Sequence, residues 1–545
     1  MKFAKEILLF LFVLLLTKGY CNDDTVGTHF VTSFLYKNPS NSAKIHLSLY
    51  FLPKNEGVTP IAITWWSLLN KKLMTVSINA THKEQNPLVF DYKDVISDGH
   101  PATGNVWDVT DPRIYINSTG PVKVLGRVFN LDNNQGDVYL VPPVLFAGKK
   151  YLFQLPTSVA LTNQLVHILT LPNNNATVQV TITSPNGTIL HYQTVNINGA
   201  MGSNQKIIPI TQVNGSPSVY INSNTNIVVV AAVTCADLNA YNMNNATTTN
   251  SCDYAAFMPQ QIRTWDCSSN LLVADKRVIS GDHTINVGVS PADTTCGSKF
   301  PVLSYTNLNS IIGVTNNLQS GQVSNFQVIH TLVSEYATEA KNARISLTRV
   351  GSPHANRNST LDGVYIHYIP ETTQFYKGST HFITFTDGDF LEVYVENLRV
   401  SDNMTLNGVN LIKSMINSQT IYSFGNTYSV YKLNANRIGV HTFSCTAEYV
   451  AFVISKVNKN TNTAYGYTTG FGISQLISVG GSTTTTTTMA PGSVTTTTTT
   501  WSNNTTQGVM TTTQSMTTTT KGSSTTITSS FILASILLKL LFNHF

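Results

Sequence analysis

The sequence contains few charged residues, and this scarcity excludes one class of partner. Asp, Glu, Lys and Arg together make up 11% of the 545 residues, and the formal net charge is +5. No stretch concentrates Lys and Arg into a basic stripe of the kind that neutralises nucleic-acid phosphates. We therefore expect no nucleic-acid partner.

Cysteine is also scarce, and the common catalytic motifs are missing. Six Cys residues in a chain of this length are too few for disulfides to replace a hydrophobic core. They show no C-x-x-C spacing, so they do not predict a zinc site. The sequence lacks the motifs of zinc proteases, serine hydrolases, P-loop proteins and dinucleotide-binding proteins. We expect no catalytic residues, no metal and no cofactor.

A sustained helical period is missing between residues 22 and 480. Short runs alternate β-branched or aromatic residues with polar ones. Turn residues separate these runs at intervals of about 8–12 residues, which is typical of all-β domains. The best helical candidate, residues 330–347, accounts for one helix at most. We predict an all-β body of tandem β-sandwich-like units, followed by a disordered stalk.

Three turns predict hairpins. Residues 176–197 alternate on both sides of Pro185-Asn186-Gly187, and residues 381–398 do so around Asp387-Gly388. The run LDNNQ at 131–135 separates two further strands. Asp132, Asn134 and Asp137 could instead form a calcium loop, but they lack the alternation and final Glu of an EF-hand. We favour a hairpin there.

One segment recurs along the chain. GDVYLVPP, CDYAAFMP and LDGVYIHYIP align with one another, and TAYGYTTGFG resembles an incomplete fourth copy. The long spacing favours repeated β-domains over a short solenoid unit. We place three units near residues 29–150, 151–265 and 266–475. The aligned positions are Asp137, Asp253 and Asp362 at the start of each copy, and Pro142, Pro259 and Pro370 at its turn.

Both ends of the chain carry targeting signals in sequence. Residues 1–21 combine early Lys residues with an apolar run, which predicts a secretory signal peptide cut after Gly19 or Cys21. Residues 481–524 are rich in Thr and predict an O-glycosylated stalk. Residues 525–545 end in a short apolar tail, which favours a GPI-anchor signal. A short membrane-spanning tail and secretion without an anchor are the alternatives. The candidate attachment residues are Gly522, Ser523 and Ser524.

N-glycosylation sequons are frequent, and export would make them accessible to the glycosylation machinery. Eight lie in the body and two in the stalk. They begin at Asn79, Asn117, Asn175, Asn186, Asn214, Asn245, Asn358, Asn403, Asn503 and Asn504.

The cysteines predict two disulfides. Cys235 ends an apolar strand and Cys252 begins the next, so a bond between them would close the polar loop. Cys267 and Cys296 are the second predicted pair, which would span a hairpin at residues 278–290. Cys445 is then left to pair with Cys21 or to form an intermolecular bond.

Histidines and tryptophans offer weaker candidates. His367 and His381 flank the turn at Pro370 in the third repeated segment and could act as ligands or bases, although strand histidines packed among aromatics are commoner. Exposed tryptophans can stack on sugar rings. The candidates are Trp65, Trp66, Trp107 and Trp265, for which a role in the core or between domains is favoured.

Several segments together resemble the N-terminal domain of the IgG Fc-binding protein family, a group of mucus-associated glycoproteins. The matching segments are VVVAAVTC with CDYAAFMPQQIRTW, FVTSFLY, GDVYLVPP and a closing series that contains GVHTFSCTAEYVAFVISK and AYGYTTGF. The resemblance spans about residues 27–475. It implies a non-enzymatic extracellular domain that acts in mucosal or matrix interactions. No motif carries Fc binding over to this chain.

The sequence thus predicts a surface glycoprotein that is lipid-anchored to the outer leaflet, with shedding or secretion as the alternative, and that binds an extracellular protein or glycan. A structural coat or mucus component is one alternative. A glycan-processing hydrolase is another, because its two carboxylates need not be close in sequence. An exposed cleft lined by paired carboxylates would favour the hydrolase. We expect the stretch at residues 219–267 to be structural.

Overall fold

The structure is a computed structural model, and it confirms the all-β prediction. Strand residues make up 66% of it and helical residues 4%. The chain divides into two units, Met1–Asn504 and Thr505–Phe545, and all described residues belong to the first. The structure describes residues 25–37, 42–97, 105–159, 164–210, 215–237, 252–262, 274–280, 283–289, 298–306, 313–328, 335–341, 343–352, 363–411, 417–455 and 464–473.

Two large antiparallel sheets contain the first half of the described strands. The strands of the first sheet are β1 (Gly27–Thr32), β2 (Ile45–Pro53), β3 (Val58–Ser67), β4 (Lys72–Thr81), β5 (Pro87–Phe90), β7 (Ile114–Asn130) and β8 (Gln135–Val141). Those of the second sheet are β6 (Trp107–Val109), β9 (Gly148–Gln154), β10 (Gln164–Thr170), β11 (Ala176–Thr183), β12 (Ile189–Ile197), β13 (Gln205–Ile210), β14 (Ser218–Asp237) and β15 (Cys252–Phe257).

Two four-stranded sheets follow. The third sheet contains β16 (Asp275–Ser280), β18 (Lys299–Thr306), β19 (Val314–Gln319) and β21 (Glu335–Ala340). The fourth contains β17 (His283–Val289), β20 (Val323–Val328), β22 (Ile345–Gly351) and β23 (Tyr365–Tyr368). Within residues 330–347, the best helical candidate in the sequence, the described positions 335–341 and 343–347 contribute β21 and the start of β22.

The fifth sheet closes the described chain. Its strands are β24 (Tyr376–Thr384), β25 (Phe390–Glu396), β26 (Met404–Leu406), β27 (Val409–Asn410), β28 (Asn417–Ser423), β29 (Asn426–Asn434), β30 (Gly439–Ile454) and β31 (Gly466–Gly470). Helical structure in the described residues is limited to the one-turn helix α1 (Tyr92–Val95) and to 3-10 turns at Ser42–Lys44, Val144–Phe146 and Thr372–Gln374.

The predicted hairpins have mixed outcomes. β11 pairs with β12, and β7 pairs with β8 across the turn that contains Asn134. The predicted hairpin at residues 381–398 is wrong, because β24 and β25 do not pair with each other but with opposite halves of β30. The hairpin at residues 278–290 is also wrong, since β16 and β17 lie in different sheets. Both segments contain a turn, but turn chemistry does not decide which strand becomes the neighbour.

The repeated segments meet at the centre of the fold. They supply β8, β15, β23 and β31, one strand from each of four sheets. β8 packs against β15 and β31, and β23 packs against the same two strands. The four strands therefore form a closed ring, here called the inner ring. Radial repetition of sheets around a centre is also the principle of β-propellers.

Four hydrophobic cores fill the spaces between neighbouring sheets around the inner ring. Strand β14 shows how one sheet serves two cores. Val228, Val230 and Ala232 face the first sheet. The alternate residues face a second core, which also contains Val350 of β22 and Ile366 of β23. Both faces of β14 are buried here, and burial on both faces requires apolar residues on both. Residues 227 to 233 are accordingly all apolar.

The carboxylate of Asp253 joins all parts of the inner ring. Its Oδ1 accepts the N–H groups of Gly136, in β8, and of Tyr254, in β15, at distances of 3.1 and 2.7 Å. Its Oδ2 accepts those of Val364 and Ala464, each at 3.0 Å, just before β23 and β31. An ionised carboxylate offers about four lone-pair sites and no donor. Four backbone donors therefore use its full capacity.

The chain approaches this carboxylate closely at Gly363. A Cβ at that position would lie 2.2 Å from the Ala464 nitrogen and 2.5 Å from Asp253 Oδ2. The φ angle of +102° also belongs to a region that side chains rarely adopt. Only glycine fits here.

Asp137 is the second carboxyl of the inner ring. It accepts the N–H groups of Val138 and Ala256, at 2.8 and 3.0 Å. Asp137 and Asp253 are both buried, and burial raises the pKa of each, opposed by the backbone N–H groups that they accept. The aligned Asp362 lies outside the described residues.

Two Asp-x-Arg pairs link separate segments of the chain. Arg113 is fully buried and donates to Asp111 and to the carbonyl oxygens of Thr170 and Ala200. Arg277 donates in the same way to Asp275 and to the carbonyl oxygens of Ile345 and Ile369. Each carboxylate holds its arginine in place, and the arginine satisfies carbonyl groups on separate segments.

Replacing Asp253 by Asn should destabilise the fold strongly. The new amide nitrogen is a donor, so two buried backbone N–H groups would lose their acceptor, at about 1–3 kcal/mol each. We expect the free energy of unfolding to fall by about 2–6 kcal/mol in denaturant titrations. The matched control is Asp132→Asn at an exposed turn, with an expected change within about 0.5 kcal/mol. Equal midpoints for both variants would contradict the role of Asp253.

Candidate functional site

The disulfide between Cys235 and Cys252 is confirmed. The bond joins residues 17 positions apart and connects β14 to the start of β15. Cys235 lies where the β14–β15 register shifts between Val233 and Ala236. Since Cys252 directly precedes Asp253, the bond fixes the strand that carries the central carboxylate. The second predicted pair, Cys267 and Cys296, lies outside the described residues, as does Cys21.

Cys445 occupies a position that does not suit intermolecular bonding. It lies in β30 with 1% of its surface exposed, and burial raises the pKa of its thiol to about 11. Thiolate is the reactive form of cysteine, so this environment makes the side chain inert.

The sequon asparagines within the described residues are all exposed. Asn186 lies in the turn between β11 and β12, as predicted, while Asn79 and Asn117 lie in strands of the first sheet. The other two are Asn175 and Asn403. Asn214, Asn245, Asn358, Asn503 and Asn504 lie outside the described residues, as do the attachment candidates Gly522, Ser523 and Ser524 and both predicted terminal signals.

His367 lies in β23 of the inner ring and is 3% exposed. Its ring stacks between Tyr365 and Phe452, at 5.5 and 4.7 Å between centroids. Burial and the charge of Arg349 lower its pKa, and the backbone of Gly466 opposes this shift. Neither ring nitrogen has a hydrogen-bond partner of good geometry among the described residues. The adjacent cavity measures about 20 Å³, room for one water molecule but not for a substrate.

His381 is half-buried between the first and fifth sheets. Its Nδ1 lies 2.9 Å from Thr442 Oγ1, and its ring contacts that of His82 at 4.9 Å. Burial and the charge of Lys123 lower its pKa to about 4. No group of three or more potential metal-ligating side chains occurs within the described part of the chain.

The three described tryptophans are buried or half-buried, and none is fully exposed as a sugar-stacking surface would require. Trp65 is buried and its Nε1 donates to Asp94 at 2.9 Å. Trp66 is half-buried and packs so closely on Gly202 that a Cβ there would lie 2.8 Å from its ring. Trp107 is half-buried in β6, and Trp265 lies outside the described residues.

A cleft on the fifth sheet is the candidate site. Its volume of about 340 Å³ falls in the range of small-molecule sites, about 300–1,000 Å³. We name it the polar cleft, because most of its lining side chains are charged or hydrogen-bonding. The lining residues are Lys377, Glu396, Asn397, Arg399, Asp402, Thr446, Ala447 and Glu448.

A β-bulge forms one wall of the polar cleft. Tyr376 pairs with Tyr449 and Gly378 pairs with Cys445, so three residues of β30 face the single Lys377. Bulges redirect side chains and are common beside functional sites. The three bulged residues, Thr446 to Glu448, all line the cleft.

The opposite wall is the turn after β25. Asp402 holds this turn, because its Oδ2 accepts the N–H of Arg399 at 2.8 Å and its Oδ1 accepts the hydroxyl of Thr446 at 3.1 Å. The second of these bonds ties the turn to the bulge. The polar cleft is therefore built by secondary structure on one side and by a braced loop on the other.

Two glutamates face each other in the cleft. Val395 pairs with Tyr449, and the next residues in register are Glu396 and Glu448. Burial and then the charge of Glu448 raise the pKa of Glu396, while bonds from Tyr428 and Asn426 oppose the shift. Glu448 is more exposed, and Lys377 Nζ lies 3.6 Å from its carboxylate. The surroundings of the two carboxylates therefore differ.

Sequence reasoning did not find the polar cleft. Glu396 and Glu448 lie on separate strands, and nothing in the sequence marks their pairing. The local pattern SCTAEY gives no signal either, because buried and more exposed residues continue to alternate through the bulge.

Comparisons with known proteins do not identify the chain. No protein-family model matches it, and no curated protein matches it. The resemblance to the IgG Fc-binding family therefore stays a prediction. Within the described residues, no helix is long and apolar enough to cross a membrane.

Removing the disulfide should destabilise the fold. Closing a loop of 17 residues stabilises a fold by about 3 kcal/mol on the chain-entropy model. We expect the double substitution Cys235→Ser and Cys252→Ser to lower the free energy of unfolding by about that amount, measured by denaturant titration under oxidising conditions. Cys445→Ala, also in the core, controls for loss of a thiol. Recovery of a Cys252–Cys267 peptide in non-reducing mapping would contradict the assignment.

Proposed function

We propose that this chain is a non-enzymatic glycoprotein of the cell surface that binds an extracellular glycan or protein through the polar cleft. The observation that carries the proposal is the cleft itself, an open site of ligand size with donors and acceptors on both walls. The lipid anchor and Thr-rich stalk proposed from the sequence would hold it away from the outer leaflet of the membrane.

Three features support an extracellular location. The described sequon asparagines are exposed, which glycosylation requires. A disulfide is compatible with an oxidising compartment, where such bonds persist. The low share of charged residues, 11%, leaves solubility to other groups, and attached glycans would supply it.

The structural alternative is a coat or mucus component without a specific ligand. Such a protein would need the rigid inner ring but not the polar cleft. A defined ligand that depends on cleft residues distinguishes the two proposals.

The binding test uses the full chain expressed on cultured animal cells. Its probes are a panel of soluble animal glycans and purified mucus glycoproteins, applied before and after enzymatic removal of N-glycans. Arg399→Glu reverses an exposed charge in the cleft and should reduce binding about tenfold or more, as loss of one charge-assisted contact implies. Lys93→Glu, an equally exposed reversal at α1, should leave binding unchanged. Equal binding by both variants would remove the polar cleft from the proposal.

A glycan-processing hydrolase is the second candidate, and the two facing glutamates favour it. Glycosidases use one protonated and one ionised carboxyl group on either side of the scissile bond. Glu396, with its raised pKa, would be the acid, and Glu448, paired with Lys377, the carboxylate.

A panel of aryl glycosides tests this candidate by release of the chromophore. The hydrolase predicts turnover by the full chain and its loss in both Glu396→Gln and Glu448→Gln. Activity retained in either variant, or no turnover in the parent chain, would discard it.

A further inference from the structure

The sequon at Asn403 lies directly beside residues that line the polar cleft. Asn403 directly follows Asp402, which lines the cleft, and its side chain is exposed. Asn410 Nδ2 lies 3.4 Å from Asn403 Oδ1, so this contact involves the amide oxygen and not the nitrogen that carries an N-glycan. Attachment is therefore compatible with the folded turn.

The main chain of Asn403 is fixed to the opposite wall. Its N–H donates to Thr446 Oγ1 at 2.9 Å, and its carbonyl oxygen accepts the N–H of Thr446 at 3.1 Å. Thr446 itself lines the cleft. A glycan on Asn403 would thus begin at a constant position relative to both walls.

The chemistry of the cleft suits an N-acetylhexosamine. Such a sugar carries hydroxyl groups and one amide, which both donate and accept hydrogen bonds. Lys377 and Arg399 supply donors, the carboxylates of Glu396 and Glu448 supply acceptors, and Asn397 supplies both. A tethered sugar also reaches a high effective concentration, so weak polar contacts are sufficient to hold it.

We infer that the first sugars of an N-linked glycan on Asn403 pack into the polar cleft and regulate the access of other ligands to it. This inference rests on the proposed function for its biological meaning, but the packing itself does not require an external ligand. Where Asn403 carries a glycan, the cleft is occupied. Where it does not, the cleft is open to another glycan or to a protein.

The test measures how fast the cleft side chains react with small reagents. The glycosylated full chain is treated with phenylglyoxal for arginine and an acetylating ester for lysine, and peptide mass spectrometry gives the rates at Arg399 and Lys377. If sugar fills the cleft about four-fifths of the time, both rates fall about fivefold. Exposed Arg437 and Lys93 are internal references whose rates should not change.

Two variants remove the sequon by different routes. Asn403→Gln removes the attachment residue, and Thr405→Ala keeps it but destroys the N-x-Thr pattern. Both should raise the rates at Arg399 and Lys377 to those of an open cleft. Asn186→Gln, which removes the sequon at the β11–β12 turn, should leave them unchanged. Trimming to a single N-acetylglucosamine should retain protection.

Two results would overturn the inference. One is mass-spectrometric evidence that Asn403 carries no glycan in the secreted chain. The other is equal reactivity of Arg399 and Lys377 with and without the Asn403 glycan. Neither result bears on whether an external ligand binds, so failure here is distinct from failure of the proposed function.

Discussion

The hydrogen bonds of the Asp253 carboxylate are the constraint on which the arrangement of the sheets depends. Three distant segments of the chain, together with the neighbouring residue Tyr254, present backbone N–H groups to one buried side chain. Buried N–H groups need an acceptor, and a buried carboxylate needs donors. The N–H groups and the carboxylate therefore satisfy each other's hydrogen bonds only when all four inner strands are in place. Gly363 permits the close approach, and the Cys235–Cys252 bond fixes the strand that carries the carboxylate.

This arrangement explains why the cores lie between sheets. Each long strand that pairs with the inner ring is buried on both faces near the centre, so its residues feed two cores in alternation. In β30, for example, Ala451 and Val453 face the first sheet, whereas Val450 and Phe452 face the third and fourth. Each of these strands therefore contributes to the stability of two neighbouring cores.

Local features of the fold could be predicted from the sequence, and distant ones could not. Alternation identified the all-β class and the β11–β12 hairpin, and the loop between two strands identified the Cys235–Cys252 pair. The turn at Asp387-Gly388 misled us because β30 is long enough to pair with both flanking strands. The Asp-x-Arg pairs were missed although the pattern recurs at Asp111 and Asp275, because a repeat of two residues is too short to stand out.

The polar cleft could not be predicted from the sequence either, because it also depends on contacts between residues that are distant in sequence. The register of β25 against β30 places Glu448 next to Glu396, and register depends on the packing of whole sheets. The aligned aspartates were noticed as markers of a repeat, but their meeting in one ring required the tertiary structure. The site therefore rests on the scaffold: the inner ring fixes β30, and the bulge in β30 shapes the cleft.

Residue-resolved hydrogen exchange tests the central role of Asp253 most directly. If one carboxylate holds the ring together, the amides of Gly136, Val364 and Ala464 should exchange only through the global unfolding reaction, with one common free energy of opening. Exchange of any of the three at the much lower free energy of an exposed turn amide would show that its segment opens alone. Such a result would contradict a ring held together by Asp253.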